Sequence, residues 1–285
     1  MCEIQFLYGL EGNLSEEDLE VFKKMLAFGA QMNNDATGLM KIDGNGRIFT
    51  AKAKNFNVVT ERIKLPAKVL LGHNRQATCG DKTDLKNAHP FANDRAIWVH
   101  NGVISNAESL FQNFKLSRDE IETDSYIIGK LVQYYVKNHK KKFVQAIQKT
   151  FARLEGSYSV LIYSRKEDVF YYVKNETTDF TFALARRDGQ HIIIGSTDVR
   201  NIENAARNEK YGFLAENGYD ILGLFDPEPE VIYRISDDGI FQAAKVIKKG
   251  YLTWDDRRYR KGWSSWNEPY SSYSCPKLSK WSYDY

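Results

Sequence analysis

The chain has 285 residues, 42% of them hydrophobic and 27% charged, with a formal charge of +3. This composition is typical of a soluble globular protein with one large or two modest domains, and it gives no reason to expect nucleic acid or a membrane as a partner. Its three cysteines, Cys2, Cys79 and Cys275, are too few and too far apart for a disulfide framework or a CxxC metal site. With neither a signal peptide nor an apolar run of about 20 residues, we expect a cytoplasmic protein.

Hydrophobic patterning predicts a strand over residues 3–10, then a helix that begins with a capping box at Ser15-Glu-Glu-Asp18. A turn at Asp43-Gly-Asn-Gly46 separates two runs that are typical of strands. The further predicted strands cover 47–51, 68–72, 96–100, 158–163, 169–173, 182–185, 192–195 and 231–235, and the predicted helices cover 124–138 and 141–154. Many strands with helices gathered in a few blocks indicate a layered α+β domain.

The last 35 residues, 251–285, differ from the rest of the chain. They hold four of the five tryptophans, six tyrosines and seven serines, with few aliphatic residues. We therefore predict a folded domain over 2–240 and a partly ordered, aromatic- and Ser-rich extension over 241–285. The aromatic tail has two interpretations: it covers the domain or a sister subunit, or it is a recognition arm, since Tyr, Trp and Arg are favoured at interfaces.

Cys2 directly follows the initiator methionine. Methionine is readily removed before so small a residue, and the chain would then begin with a thiol nucleophile next to a free α-amine. That amine has an ordinary pKa of about 7.7–8.0, which suits a group that takes and returns a proton. The simpler alternative is that Met-Cys merely opens a buried strand, and segments further along the chain decide between the two.

Three short polar segments accompany Cys2: residues 72–80, His100-Asn101-Gly102 and Thr123-Asp124-Ser125. Each alone has an ordinary explanation as a turn, a helix start or a solvated loop. Together they fit a pocket for an α-amino acid with an acyl group. An arginine fork matches a carboxylate, Asp124 can hold an ammonium, and an Asn side chain with a glycine N–H can form an oxyanion hole. Glutamine is the natural candidate.

In this order the segments resemble class II glutamine amidotransferase domains of the N-terminal-nucleophile hydrolase superfamily, of the type found in glucosamine-6-phosphate synthase and amidophosphoribosyltransferase. Separate motifs in one fixed order are more specific than any one of them. The segments that carry the resemblance are Cys2 and residues 34–38, 72–80, 87–90, 100–106, 124, 154–158 and 194–198.

The resemblance implies a four-layer αββα sandwich. It also implies attack on the glutamine side-chain amide, release of ammonia and hydrolysis of a γ-glutamyl thioester to glutamate. The residues that it assigns are Cys2 as nucleophile with its α-amine as base, Arg75 at the α-carboxylate with Thr78 nearby, Asp124 at the α-ammonium, and Asn101 with the Gly102 N–H in the oxyanion hole.

Two positions depart from the sugar-aminating branch, because Gln76 and Cys79 stand where glucosamine-6-phosphate synthase has Trp and His. We still expect glutaminase chemistry, but not that branch in particular. Cys79 is interpreted as a loop residue rather than a second nucleophile. His73, His89 and His100 are expected to hold loops rather than to transfer protons, and no metal or cofactor is expected.

Family members usually fuse this domain to a synthase, whereas only about 45 residues follow it here, without a phosphate-binding Gly-rich loop. We therefore expect a stand-alone glutaminase subunit that delivers ammonia to a separate synthase or ligase. Two alternatives stay open: an N-terminal-cysteine amidase acting on another γ-glutamyl amide, and a catalytically silent scaffold. The sequence does not identify the acceptor, and assembly into a homo-oligomer stays open.

Overall fold

The computed structural model describes residues 2–206 and 219–248. These residues form two antiparallel sheets with helices on their outer faces. In spatial order, the first sheet contains β11 (Asp220–Phe225), β9 (Thr181–Arg187), β10 (Gln190–Ser196), β1 (Glu3–Gly9), β4 (Val69–Arg75), β2 (Ala36–Ile42) and β3 (Ile48–Ala53). The second contains β13 (Gly239–Lys245), β12 (Val231–Ser236), β8 (Val169–Lys174), β7 (Gly156–Ser164), β6 (Ala96–Ile104) and β5 (Phe91–Ala92).

The helices lie on the outer faces of the two sheets. Those on the first sheet are α1 (Glu16–Met32), α2 (Phe56–Thr60) and α6 (Val199–Ala206), and those on the second are α3 (Ala107–Asn113), α4 (Tyr126–His139) and α5 (Phe143–Phe151). Between the sheets, Ile4 and Phe6 of β1 pack in one apolar cluster with Ile97 and Val99 of β6. The order of layers is helix, sheet, sheet, helix. The predicted α+β class and four-layer αββα sandwich are confirmed.

Helix α1 forms where local sequence signals agree. The Ser15 hydroxyl accepts a hydrogen bond from the Asp18 N–H at 3.2 Å, and the Asp18 carboxylate accepts one from the Ser15 N–H at 2.7 Å. These bonds complete the predicted capping box. Leu19, Phe22 and Leu26 follow at helical spacing and are fully buried against the first sheet. The apolar stripe that predicts the helix therefore also fixes its place on the sheet.

Strands β4 and β6 run further than their sequence predicts. β4 continues past 72 to Arg75, where Ala36 of β2 pairs with it, and β6 continues past 100 to Ile104, with Asn101 paired to Ser159. The polar residues at both strand ends are typical of loops in sequence, but in the structure they belong to strands and line the site described below. Rigid strands, rather than loops, therefore carry these side chains.

Several elements of the structure were not predicted from the sequence, namely α2, α3, α6, β5, β11 and β13. β13 pairs with β12 as far as Lys245, beyond the expected domain boundary at 240, while residues 249–285 of the expected extension lie outside the described residues. None of the helices in the described ranges is both long and apolar enough to cross a bilayer.

Candidate active site

Cys2 lies directly before β1, and its thiol contacts the loop that follows β4. The Sγ atom donates to the Gln76 carbonyl oxygen at 3.4 Å and accepts from the Gln76 N–H at 3.4 Å. Burial raises the pKa of the Cys2 thiol, and the Asp124 charge adds to this, while the Gln76 N–H and the Arg75 charge oppose it. The resting thiol is therefore protonated, and a base must remove its proton before it can attack a carbonyl carbon.

Arg75 ends β4 as a buried cation. Its guanidinium donates to the Cys79 carbonyl oxygen at 2.9 Å and to the Asp81 carbonyl oxygen at 3.4 Å. Both partners are neutral, so neither cancels the charge. A guanidinium has five N–H donors in a planar fork, and a carboxylate can use two of them side by side.

The loop after Arg75, residues 76–84, is anchored at two points. Near its start, the Ala77 N–H donates to the Asp35 carboxylate at 2.8 Å. Further along, the Asp81 N–H donates to the Glu122 carboxylate at 2.6 Å. Thr78 lies between these points as an exposed side chain. The structure places the Thr78 side chain at the surface of this loop.

Asn101 and Gly102 lie within β6 and carry the two predicted oxyanion donors. The Asn101 side chain is 1% exposed, yet neither its amide nitrogen nor its amide oxygen has a hydrogen-bond partner among the described residues. Gly102 has a φ of +141°, and a Cβ there would lie 2.1 Å from the Ser157 carbonyl oxygen. Only glycine fits this position. A buried amide without a protein partner needs another partner, either a water molecule or a ligand.

Asp124 precedes α4 and is nearly buried. One carboxylate oxygen accepts from the Ile104 N–H at 2.5 Å, which fastens it to the end of β6. The other accepts from the Cys79 thiol at 3.4 Å. A thiol is a weak donor, so this second oxygen can accept a stronger one such as an ammonium.

Three buried histidines support the strands beneath these residues. His73 Nε2 donates to the His100 carbonyl oxygen at 3.1 Å, while His100 Nε2 donates to the Ser157 carbonyl oxygen at 3.2 Å. The centre of the His89 ring lies 4.1 Å from the centre of the His73 ring. Burial lowers the pKa of all three, to about 3 for His73 and well below the usual value for His89. They are therefore neutral braces at physiological pH.

Metal-ligating groups are not gathered in the described part of the chain: no three or more His, Cys, Asp or Glu side chains there could hold a metal ion.

One further cation, Lys52 of β3, lies half-buried with its ammonium 5.1 Å from the centre of the Phe91 ring. Burial lowers its pKa to about 8. Sequence patterning gave no signal for Lys52, because a lysine on an edge strand is usually solvated.

A continuous series of contacts joins three of the predicted site residues. Cys2 contacts Gln76, the neighbour of Arg75; Arg75 contacts Cys79; and Cys79 contacts Asp124. The charges of Arg75 and Asp124 both act on the pKa of Cys2. The sequence missed Cys79 as the link, together with Asp35 and Glu122 as loop anchors, although each lies in or beside a motif segment.

Comparison with known proteins shows which family this arrangement resembles. A family model described as a glutamine amidotransferase domain matches residues 73–200, which include Arg75, Asn101, Gly102 and Asp124. The glutamine–fructose-6-phosphate aminotransferase (isomerizing) of Clostridium acetobutylicum is 35% identical over 237 residues, covering 80% of this chain and 36% of that protein. The enzyme of the same name from Aliivibrio fischeri is 28% identical over 245 residues, covering 79% of this chain and 38% of that protein. This chain spans little more than a third of either relative.

The solved structure of the glutamine phosphoribosylpyrophosphate amidotransferase from B. subtilis has a similar fold, with a TM-score of 0.62 at 16% identity. The match covers 85% of this chain and 49% of that one. At this identity the likeness shows the fold alone. Sequence match, fold and the ordered motifs agree, and the chain therefore contains a class II glutamine amidotransferase domain of the N-terminal-nucleophile hydrolase superfamily.

Proposed function

We propose that this chain hydrolyses the side-chain amide of glutamine to glutamate and ammonia, with Cys2 as the nucleophile. The observation that supports this most is the buried Asn101 amide, which has no partner among the described residues and lies beside the constrained Gly102. A buried polar group without a protein partner pairs with water or with a ligand in most native proteins. An oxyanion that forms during attack on an amide is such a partner.

The proposed reaction begins after Met1 has been removed, which frees the Cys2 α-amine. The amine takes the thiol proton as sulfur bonds to the side-chain carbonyl carbon of glutamine. The oxyanion accepts from the Asn101 amide and the Gly102 N–H. The carbon–nitrogen bond then breaks, and the proton on the amine goes to the departing ammonia. Water attacks the γ-glutamyl thioester by the same proton route, which releases glutamate and restores the thiol.

The two charged ends of the substrate would be held by Arg75 and Asp124. A substrate carboxylate is a stronger acceptor for the Arg75 guanidinium than the two neutral carbonyl oxygens that it now contacts. The resemblance places Thr78 near that carboxylate, and its side chain is exposed in the same loop. The α-ammonium would take the Asp124 oxygen that the Cys79 thiol now occupies.

We infer that the ammonia passes to an acceptor synthase or ligase. The relatives that match this chain are named as an aminotransferase and an amidotransferase, and the chain covers only part of each. A separate acceptor protein would need a docking surface, and the aromatic residues of 251–285 are our candidate for it. A cytoplasmic location suits the free thiols, because a reducing compartment keeps them from pairing.

The function is tested by glutamate release from purified protein, alone and with candidate acceptors. Cys2→Ser should lower the rate at least about a hundredfold, because the attacking group is lost. Asp124→Asn should mainly raise the glutamine KM. Assaying other γ-glutamyl amides beside glutamine separates a glutaminase from a broader amidase. A near-normal rate in Cys2→Ser, or an unchanged KM in Asp124→Asn, would remove that residue from the mechanism.

A further inference from the structure

Lys52 is a half-buried cation at the edge where the two sheets meet. It lies on β3, the edge strand of the first sheet, and its ammonium is 5.1 Å from the centre of the Phe91 ring on β5, the edge strand of the second. Within the described ranges Lys52 forms no ion pair. The Asp84 charge acts on it from a greater distance, and that carboxylate accepts the Lys86 N–H at 2.8 Å. A partly buried charge without an opposite charge beside it is unfavourable.

The nearby His89 ring also lacks a partner. His89 is 4% exposed, and neither of its ring nitrogens has a hydrogen-bond partner among the described residues. Burial lowers its pKa well below the usual value, so the ring is neutral at physiological pH and has one N–H to donate. A buried N–H needs an acceptor, and the side chains in the described part of the chain do not supply one.

The backbone brings these two side chains to the same face of the first sheet. Lys52 pairs with Gly38 of β2, and a Cβ on Gly38 would lie 1.8 Å from the His89 carbonyl oxygen. Directly paired residues point to the same face of a sheet, so Lys52 points to the face that His89 crosses. Both side chains then meet one ring, since the centre of the His89 ring lies 4.5 Å from that of Phe91. The Lys52 charge also lowers the pKa of His89, as a neighbouring positive charge does.

We propose that the Lys52 ammonium and the His89 N–H bind a small monovalent anion, such as chloride, between the edges of the two sheets. One unpaired positive charge matches one negative charge, and the neutral imidazole adds a donor without adding charge. A water molecule in the same place would accept from His89 but would leave the Lys52 charge without an opposite charge. This anion site goes beyond the proposed hydrolysis of glutamine and does not depend on it.

The first test measures the unfolding of the full chain by urea at pH 7. Sodium chloride replaces sodium gluconate at constant ionic strength, so that general screening stays equal and a bulky anion serves as the reference. Chloride at about ten times its dissociation constant should lower the unfolding equilibrium constant about tenfold, and the effect should saturate as chloride rises. A stability that does not rise with chloride, or that rises without saturation, would overturn the proposal.

Two substitutions assign the chloride effect to this site. Lys52→Met removes the positive charge and keeps an unbranched side chain, so it should abolish the saturable effect of chloride on the unfolding equilibrium. Lys54→Met, at an exposed position two residues further along the chain, is the matched control and should respond to chloride as the unsubstituted chain does. An equal chloride response in Lys52→Met and in the unsubstituted chain would show that the anion binds elsewhere.

A second measurement needs no substitution and no unfolding. The unsubstituted chain is labelled with a trace of acetic anhydride, and peptide mapping gives the rate of acetylation at each lysine. Chloride at about ten times its dissociation constant should slow the acetylation of Lys52 about tenfold, because only the anion-free fraction reacts. Lys54 is the internal control and should keep its rate. Equal rates at Lys52 in chloride and in gluconate would refute the anion site, whether or not the chain hydrolyses glutamine.

Discussion

Replacing Asn101 with leucine should lower kcat while keeping or raising the free energy of unfolding. Asn101 is 1% exposed, and its side-chain amide has no hydrogen-bond partner among the described residues. Leucine has nearly the same branched outline and no polar atoms. Removing an unsatisfied buried group is worth about 1–3 kcal/mol, so Asn101→Leu should keep or raise the free energy of unfolding. The same change removes an oxyanion donor and should lower kcat about 10²–10³-fold, or about 2.7–4 kcal/mol.

Asn175 provides the matched control, because both polar atoms of its buried amide have hydrogen-bond partners. It donates to the Gly156 carbonyl oxygen at 2.7 Å and accepts from the Tyr158 N–H at 3.1 Å and the Thr177 hydroxyl at 2.8 Å. Asn175→Leu leaves these partners unsatisfied and should lower the free energy of unfolding by about 2 kcal/mol or more. The kcat of the folded protein should stay near its normal value, since Asn175 holds no substrate group.

The measurements are urea unfolding, extrapolated linearly to water, and glutamate release under saturating glutamine. The two variants should move in opposite directions: one stable and inactive, the other active and less stable. The reasoning is refuted if Asn101→Leu loses more than about 1 kcal/mol of stability, as an ordinary core substitution would, or if its kcat falls less than about threefold.

Three further predictions follow from buried charge and from the tail. Lys52→Met should raise the free energy of unfolding at pH 7 by about 1–3 kcal/mol, because burial lowers the native pKa of Lys52 to about 8. This gain in the free energy of unfolding should fade between about pH 8 and 10.5, where the unfolded chain also loses its proton. Lys54→Met, at an exposed position, should give no such gain. A gain that is independent of pH would contradict this. Stability should fall as pH drops below about 6.5, since His73 has a native pKa of about 3 and only the unfolded chain takes up its proton. His73→Asn should flatten that dependence by about 1.4 kcal/mol per pH unit, and an equal slope would exclude His73 as a source. Truncation after residue 250 should keep glutaminase activity but abolish co-purification with an acceptor, and loss of folding instead would make the tail structural.

Local signals explain which parts of the fold could be predicted. Helix α1 follows from the Ser15–Asp18 capping box and an apolar stripe, both of which act within a few residues. The ends of β4 and β6 could not be predicted in this way. His73, Asn74 and Arg75 read as a polar loop, whereas the structure buries all three in a strand. Polarity patterning fails where function places polar groups in the interior.

The candidate site could also be predicted only in part. Its residue types follow from the motifs, but its connections do not. Asp124 is held by Ile104 and by Cys79, which are 20 and 45 residues away in the chain, and the sequence carries no local signal for either contact. Thr78 was chosen by its motif position alone, and the structure places it at the loop surface.

The most direct measurement is the mass of the purified chain before and after reaction with a diazoketone analogue of glutamine, followed by peptide mapping. Nucleophilic attack by a terminal cysteine predicts a chain that lacks Met1 and carries one adduct, on Cys2, with excess L-glutamine slowing its formation. A chain that keeps Met1, or an adduct that forms elsewhere at the same rate in Cys2→Ala, would contradict it.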